Sequence, residues 1–372
     1  MTKIDDDTSK RIAAIRIILT VLVVFIHNNN FGEHFFTDVD NPFEIDIFSR
    51  CVRLFLSHIL SSAAVPLFFL ISGYLTFSKD YSYKTLLKKK LIGLVIPYLL
   101  WNTLIAMFYF IVQVIPSLSI FVVERWNNMK NFGVLDWLQV YIVPICGHFW
   151  FVGNLIIVTL LTPIIKKLAS KLPLLWFALV LILYVHPITK IASFFVALFY
   201  YTLGLYVLKF NITVKAIDKI EFFDLTLYCV LIWGIHLYSV IANVELASIE
   251  YFTIFASALF LIRFVGILIQ RNNIYNILNR LSYYSFWLYA IHTPVLQGAI
   301  KAVWKKYLPY KGGGNMLEYF CVTTITIALG ISIGAFLNKF CPLLFNLFNG
   351  SRAKNSMISE SKDFSNKTIN KC

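Results

Sequence analysis

The stretch RIAAIRIILTVLVVFIHNNN, residues 11–30, begins at Arg11 and continues as an apolar run that holds two further ionisable side chains, Arg16 and His27. Its length is that of a helix that crosses a membrane. Arg16 and His27 are eleven positions apart, close to three helical turns, so they share a face and stand about 16 Å apart. An Arg near the bilayer centre costs about 2.5–3.5 kcal/mol and is retained where it faces protein, water or a ligand. We therefore interpret the shared face as a functional site inside a membrane protein.

The composition of the whole chain indicates a membrane protein with many spans. Of the 372 residues 59% are hydrophobic and 14% are charged, whereas soluble domains carry about 25% charged residues. The mean hydropathy of +0.73 agrees. The net charge of +14 arises mainly from Lys and Arg between apolar segments, which is typical of membrane topology and disfavours nucleic-acid binding. The cysteines form no CxxC motif or Cys/His cluster with zinc-like spacing, so no metal site is expected.

Apolar segments of about 20 residues predict an all-α, polytopic bundle of about ten transmembrane helices. The predicted spans are residues 12–29, 54–77, 91–115, 138–165, 172–189, 191–208, 222–242, 248–269, 281–300 and 317–345. The fifth and sixth spans are short and closely joined, so a re-entrant pair is an alternative. Lys and Arg are more than twice as frequent in one set of alternate loops as in the other, which predicts that both termini are cytoplasmic.

The domain organisation is predicted to be simple. Residues 1–348 are expected to form one integral-membrane domain, because no stretch outside the spans is long enough for a separate soluble catalytic domain. Residues 349–372 are polar with a single aromatic residue, Phe364, so we expect a disordered cytoplasmic tail.

The residue types at positions 16 and 27 suit acid–base and phosphate chemistry. An imidazole takes a proton from a hydroxyl near neutral pH, so His27 is a candidate general base. A guanidinium suits a phosphate-bearing ligand, so Arg16 is a candidate binding residue for such a ligand. The alternatives are an interfacial His bonded to its polar neighbours and an Arg that extends to the membrane surface. Their common helix face favours the functional interpretation.

Further polar side chains lie inside three other predicted spans. The candidates for substrate binding are Ser72 and Tyr74 in the second span, His148, Trp150 and Asn154 in the fourth, and Ser285, Tyr289 and His292 in the ninth. The ninth-span residues recur at helical spacing and share a face, which suggests a lined cavity. A Trp face packs on sugar C–H groups, although an aromatic belt at the membrane surface is an equal alternative for the fourth span. Ser72 precedes Gly73, and this pair is also typical of close helix packing.

Together these segments resemble the bacterial integral-membrane acyltransferases of acyltransferase family 3. The segments that carry the resemblance are Arg16-x(10)-His27, PLFFLISGYL (66–75), HFWFVGNL (148–155) and SYYSFWLYAIHTPV (282–295). These segments occur along the chain in the order expected for this family, and the resemblance extends to about residue 348. The chain lacks the periplasmic esterase-like domain that is fused to many members, so it resembles a stand-alone membrane domain.

The resemblance implies a multi-pass O-acyltransferase of the bacterial cytoplasmic (inner) membrane. Such an enzyme moves an acetyl or succinyl group from cytoplasmic acyl-CoA to a hydroxyl of a cell-envelope or exported polysaccharide, or of its lipid-linked precursor. Carried over, His27 is the catalytic His and Arg16 the catalytic residue on the donor side. No permanently bound cofactor is implied, and acyl-CoA, foremost acetyl-CoA, is a co-substrate. The implied partners are the glycan or lipid-linked sugar acceptor, membrane lipid and polysaccharide biosynthesis machinery, with no nucleic acid.

Two other functions use the same features. An exporter of polysaccharide or lipid-linked sugar also needs a polar cavity through the bundle but performs no catalysis. An assembly partner within a polysaccharide-synthase complex would make Arg16 and His27 structural. Only the enzyme requires a CoA-dependent reaction and a reactive His.

Overall fold

The computed structural model describes residues 4–28, 47–115, 128–246, 248–308 and 313–350, and these residues contain helices but no β-strand. The α-helices are α1 Asp6–Asn28, α2 Ile47–Leu54, α3 Ala64–Phe77, α4 Tyr83–Lys90, α5 Ile96–Val114, α6 Val134–Ile142, α7 Trp150–Leu160, α8 Thr162–Lys171, α9 Pro173–Val185, α10 Ala192–Lys209, α11 Val214–Asp218, α12 Phe222–Ile241, α13 Ile249–Leu268, α14 Asn272–Ser282, α15 Ser285–Ile291, α16 Gln297–Tyr307, α17 Gly313–Phe340 and α18 Pro342–Asn349. Turns of π-helix cover Phe55–Ile59, Leu91–Val95 and His292–Leu296. The predicted all-α fold is confirmed.

Within the described ranges, six helical segments are long and apolar enough to cross a membrane. They are Ile47–Phe77, Tyr83–Val114, Ala192–Lys209, Phe222–Ile241, Ile249–Leu268 and Asn315–Phe340. These segments coincide with the second, third, sixth, seventh, eighth and tenth predicted spans. A bent pair, Val134–Ile142 with Gly147–Leu160, makes seven if it counts as one span. The multi-pass architecture is supported, while the count of ten and the cytoplasmic termini stay predictions.

Three predicted spans are not single continuous helices of full length, which the pattern of apolar residues did not predict. The fourth bends by 65° between α6 and the helix that begins at Gly147. Pro144 lies in this break and has no N–H to continue a helix. The fifth is covered only by the short α9. The ninth is divided between α15, a π-helical turn and α16, because Thr293 is extended with φ −136° and ψ 154°. Thr293 precedes Pro294, and a residue before proline is biased away from helix.

The chain divides into two compact units, each made of two segments of sequence. The first unit consists of residues 1–80 and 161–332, and the second of residues 81–160 and 333–372. The single membrane domain predicted for residues 1–348 stays a prediction. The predicted tail lies outside the described residues from position 351 onward.

Helix α1 lies at the centre of the first unit. None of its residues from Arg11 to Asn28 is exposed, and it packs against α3, α13, α14, α15 and the π-helical turn Phe55–Ile59. Its side chains are apolar on nearly every face, and a helix that is hydrophobic all round is buried. Ile17 and Val24 form one cluster with Leu288 of α15. Arg16 and His27 are therefore enclosed by neighbouring helices, whereas Asp6 at the start of α1 is exposed.

Charged groups fix the N-terminal end of α1. Asp5 caps the helix by accepting hydrogen bonds from the Thr8 N–H, at 2.9 Å, and the Thr8 hydroxyl, at 2.7 Å. The Thr8 backbone hydrogen bond holds the pKa of the Asp5 carboxyl below its usual 3.8. The buried Arg11 guanidinium bonds Asp7 of its own helix, at 3.0 Å, and Asp218 of α11. This end of α1 is thereby tied to the short helix that precedes α12.

Helices α3 and α10 approach each other at a pair of glycines. A Cβ atom on Gly73 would lie 2.1 Å from the backbone oxygen of Tyr201, and one on Gly204 would lie 2.4 Å from that of Leu70. No larger side chain fits at either position without moving the backbone. The packing interpretation of the Ser72-Gly73 pair is therefore confirmed for Gly73.

Candidate active site

The His27 ring is held in one tautomer near the C-terminal end of α1. Its Nδ1 lies 2.9 Å from the backbone oxygen of Val23, one turn earlier. A carbonyl oxygen only accepts hydrogen bonds, so Nδ1 carries the proton and Nε2 carries the lone pair in the neutral ring. The ring is partly buried, with Nε2 as its basic atom. This is the protonation state that a general base needs.

A second predicted residue, His292, packs directly against His27. The two rings are nearly perpendicular, at 72°, with their centroids 5.0 Å apart. His292 is fully buried, and its Nδ1 donates to the backbone oxygen of Tyr289 at 2.7 Å. It lies where α15 gives way to the π-helical turn, so the change of helix type brings its ring to α1. Two residues predicted independently from sequence thus meet at one point.

The last backbone carbonyls of α1 accept hydrogen bonds from side chains on other elements. The Ser57 hydroxyl donates to Phe25 O at 2.9 Å, and Gln297 Nε2 donates to Val24 O at 3.2 Å. The oxygen of Asn28 accepts from Lys301 Nζ at 3.2 Å and from Arg53 Nη2 at 3.4 Å. Cations are favourable at a helix C-terminus, where the carbonyl dipoles concentrate negative charge. The end of α1 that carries His27 is therefore held from several sides.

A buried polar network surrounds this helix end. Asn28 donates through Nδ2 to Tyr319 O at 2.7 Å and to Thr323 Oγ1 at 2.8 Å. The Tyr319 hydroxyl lies 2.6 Å from Ser57 Oγ, and the Arg53 guanidinium lies over the Tyr319 ring at 4.7 Å. The Ser57 hydrogen is used on Phe25, so Tyr319 is the donor to Ser57. The network joins α17 and the helical segment Ile47–Phe77 to α1.

Charge is concentrated in the same network. Arg53 is fully buried, and the carboxylate of Glu318, also buried, interacts electrostatically with both Arg53 and Lys301. Lys301 also acts electrostatically on His27. Buried charges are retained where they are paired and hydrogen-bonded. The surroundings of His27 are therefore ionic, although they lie between apolar helices.

Arg16 occupies the middle of α1 and has a different environment. Across the described chain, its guanidinium has no hydrogen bond or ion pair, and only its backbone oxygen is bonded, by Thr20. It is partly accessible, whereas Thr20 and Val23, which follow it on the same face, are buried. Arg16 and His27 lie on one helix, along which eleven residues rise about 16 Å. An enclosed guanidinium of this kind is suited to an anionic ligand.

The other predicted residues of the ninth span are enclosed. Ser285 and Tyr289 belong to α15, whose residues 285–290 are all buried. The Tyr289 ring lies 6.1 Å from that of His292, so this face does continue toward His27. In the part of the chain that the structure describes, the buried Ser285 hydroxyl has no hydrogen-bond partner. Their role in substrate binding stays a prediction.

The predicted second-span residues lie toward the other end of α1. Ser72 and Tyr74 are partly buried on α3, and Ser72 O accepts a hydrogen bond from Thr76 at 2.7 Å. Tyr74 interacts electrostatically with Asp5, which precedes α1. The structure therefore does not bring these two residues to the His27–His292 pair.

The predicted fourth-span residues belong to the second unit. His148 is buried in the turn Gly147–Phe149, and Trp150 and Asn154 are partly buried on α7. Asn102 of α5 holds the preceding turn by accepting from the Ile145 N–H at 3.2 Å. This cluster is described within its own unit, and its participation in substrate binding stays a prediction.

Several polar residues beside His27 were missed by the sequence reasoning. They are Asn28, Arg53, Ser57, Gln297, Lys301, Glu318 and Tyr319. The sequence did contain a pattern that could have indicated Gln297 and Lys301: these two polar residues lie four positions apart and share a helix face. In the sequence analysis, Arg53 and Lys301 contribute only to the loop charges from which the membrane topology is predicted. Among the described residues no group of three or more His, Cys, Asp or Glu side chains is placed to hold a metal ion.

Comparisons with known proteins identify the family to which the chain belongs. The succinoglycan biosynthesis protein ExoH of Rhizobium meliloti (strain 1021) is 24% identical over 375 residues, which cover 94% of this chain and 94% of that protein. No solved structure gives a significant match. A family profile described as an acyltransferase domain matches residues 10–335, which include α1, the His27–His292 pair and most of both units. The chain therefore belongs to this acyltransferase family, as the four sequence segments indicated, and is an acyltransferase.

Proposed function

We propose that this protein is a membrane O-acyltransferase that moves an acetyl or succinyl group from acyl-CoA to a hydroxyl of a polysaccharide or its lipid-linked precursor. The observation that carries the proposal is the His27 tautomer, which leaves Nε2 as a base inside a partly enclosed site. Membership of the acyltransferase family favours this function over non-catalytic export or a purely structural role.

In the proposed reaction His27 acts on the acceptor hydroxyl. Nε2 takes the hydroxyl proton while the oxygen attacks the carbonyl carbon of the thioester. The C–S bond then breaks, the new ester forms, and the CoA thiolate takes the proton from His27 to leave as the thiol. The Nδ1–H bond to Val23 O keeps the ring oriented throughout this cycle.

Arg16 is proposed to bind the donor. A guanidinium without a partner among the described residues suits the phosphates of acyl-CoA, and about 16 Å of helix separates it from His27. About 16 Å suits a ligand of pantetheine length, so the pantetheine arm would extend along this face of α1. The positive-inside distribution of Lys and Arg supports entry of acyl-CoA from the cytoplasm.

The acceptor class is proposed from the relative. ExoH is named for succinoglycan biosynthesis, and it aligns along nearly the whole of this chain. A polysaccharide or lipid-linked sugar made by neighbouring biosynthetic machinery is therefore the proposed acceptor, in the bacterial inner membrane. No permanently bound cofactor is required in this scheme.

The test is transfer of label from acetyl-CoA and succinyl-CoA to an envelope glycan fraction by the purified protein in lipid. We expect transfer by the wild type and a loss of about 100-fold or more in kcat for His27→Gln. Arg16→Met is expected to raise the KM for acyl-CoA more than it lowers kcat, because Arg16 contacts only the donor. His186→Gln, at an exposed position after α9, is the matched control and should leave transfer unchanged.

Two results would contradict the proposal. Full transfer by folded His27→Gln protein would exclude His27 as the base. Binding and translocation of a lipid-linked sugar, without acyl transfer from either CoA ester, would favour the exporter.

A further inference from the structure

The C-terminal end of α1 is contacted by one continuous segment, residues 292–301. His292 packs on the His27 ring, and Gln297 and Lys301 donate to Val24 O and Asn28 O. The segment comprises the π-helical turn after α15 and the first part of α16. It therefore touches both the side chain of His27 and the helix backbone on either side of it.

The two backbone contacts have matching spacing. Gln297 and Lys301 are four residues apart on α16, and their acceptors Val24 and Asn28 are four residues apart on α1. Each interval corresponds to about 6 Å of helix rise. Sliding or rotating α16 by one residue would break both hydrogen bonds together. The pair thus fixes the register between α16 and the last turn of α1.

The contact with His292 fixes the remaining freedom of His27. The Nδ1–H bond to Val23 O leaves small rotations of the ring, and the nearly perpendicular His292 ring packs against it. His292 is itself held by its bond to Tyr289 O and is fully buried. Its ring is therefore a rigid surface for its neighbour.

We propose that His292, Gln297 and Lys301 are positioning residues for His27. His292 acts through ring contact, and Gln297 and Lys301 act by holding the last turn of α1. This inference rests on the proposed function of His27 as the base. Its direct consequence, one ordered His27 tautomer, is measurable without any reaction.

The first experiment is ¹⁵N NMR of histidine-labelled protein in lipid, with the His27 signal identified by its loss in His27→Gln. The wild type should show a single His27 tautomer protonated at Nδ1. His292→Ala, Gln297→Leu and Lys301→Met should each give a mixture of tautomers. His292→Phe retains a ring and should restore the single tautomer. Lys305→Met, an exposed position on the same helix, is the control and should match wild type.

The second experiment measures acyl transfer by the same variants. Misplacement of a catalytic group by about 1 Å costs about 100-fold, so His292→Ala and Lys301→Met should lower kcat by roughly that factor while leaving the KM for acyl-CoA nearly unchanged. The His292→Phe variant should retain most of the wild-type kcat. A merely structural role would reduce the yield of folded protein without this recovery.

The outcomes separate the two proposals. An unchanged His27 tautomer in His292→Ala, Gln297→Leu and Lys301→Met would overturn the positioning role, whatever their activity. A changed tautomer in a protein whose wild type transfers no acyl group would support positioning and contradict the proposed function.

Discussion

Asn28 shows how a single residue secures the candidate base. Its amide donates both hydrogens to α17, and its backbone oxygen accepts from Lys301 and Arg53. Among the described residues its side-chain oxygen is buried without a hydrogen-bond partner. Asn28 thus ties the last turn of α1 to α17 through its side chain and to α16 through its backbone oxygen.

Replacement of the Asn28 amide should weaken the site and the fold together. We expect Asn28→Leu to destabilise the protein by about 1–3 kcal/mol, because it removes two buried hydrogen bonds. Thr323→Val should have a smaller effect, since Asn28 can still donate to Tyr319 O. Thermal unfolding in detergent measures the difference. Equal melting temperatures for Asn28→Leu and wild type would show that these hydrogen bonds contribute nothing net.

The sequence indicated those candidate site residues whose side chains are unusual for a membrane span. Arg16, His27 and His292 are ionisable groups in apolar runs, and the structure places two of them in contact. The sequence did not indicate Ser57 or Gln297, because the hydrogen-bond partners of these side chains are backbone carbonyls of α1, which is distant in sequence. Backbone acceptors carry no residue-type signal, so these pairs become visible only in three dimensions.

At the scale of the elements, the contact between α3 and α10 depends on two glycines. A Cβ on Gly204 would meet Leu70 O at 2.4 Å and Tyr74 N at 2.5 Å, and neither backbone atom can move aside alone. Long apolar helices were predictable because their composition differs from that of loops. The breaks inside the fourth and ninth spans were not predicted, because they depend on the local effects of Pro144 and Pro294 within apolar sequence.

Substitution at the glycine contact should separate these helices. We expect Gly204→Ala to destabilise the protein by about 1–3 kcal/mol, the usual cost of overpacking. Gly234→Ala on α12 is the matched control, because nothing lies within 4 Å of the added Cβ. Melting temperatures of both variants provide the comparison. A Gly204→Ala protein as stable as Gly234→Ala would mean that α3 and α10 can move apart at little cost.

At the scale of the whole molecule, the number of spans decides which loops face each side. Among the described residues, six or seven segments meet the length and hydropathy requirements. The first, fifth and ninth predicted spans are not among them, and α9 in the fifth has only 13 residues. A helix of that length rises about 20 Å, less than the hydrocarbon thickness of about 30 Å. Helix α9 is therefore too short to cross the hydrocarbon core by itself.

Labelling of single cysteines in a cysteine-free variant tests the ten-span topology. Lys130→Cys and Thr189→Cys should react with a membrane-impermeant maleimide in intact cells, because Lys130 lies in a loop predicted outside and Thr189 lies at the outer end of the fifth predicted span. Lys215→Cys should react only after permeabilisation. Mass-shift gels measure each reaction. Labelling of Thr189→Cys only in permeabilised cells would instead establish a re-entrant pair and reduce the number of spans.

The enclosure of α1 has a consequence for how the chain is made. Helix α1 is synthesised first, yet α14 and α15, which cover part of it, begin about 240–260 residues after its end. At about 5–20 residues per second, translation takes on the order of ten seconds to a minute to supply them. During that interval Arg16 and His27 lie in a helix whose final neighbours do not exist. During synthesis α1 therefore depends on temporary contacts with the insertion machinery or with water, until the helices that enclose it have been made.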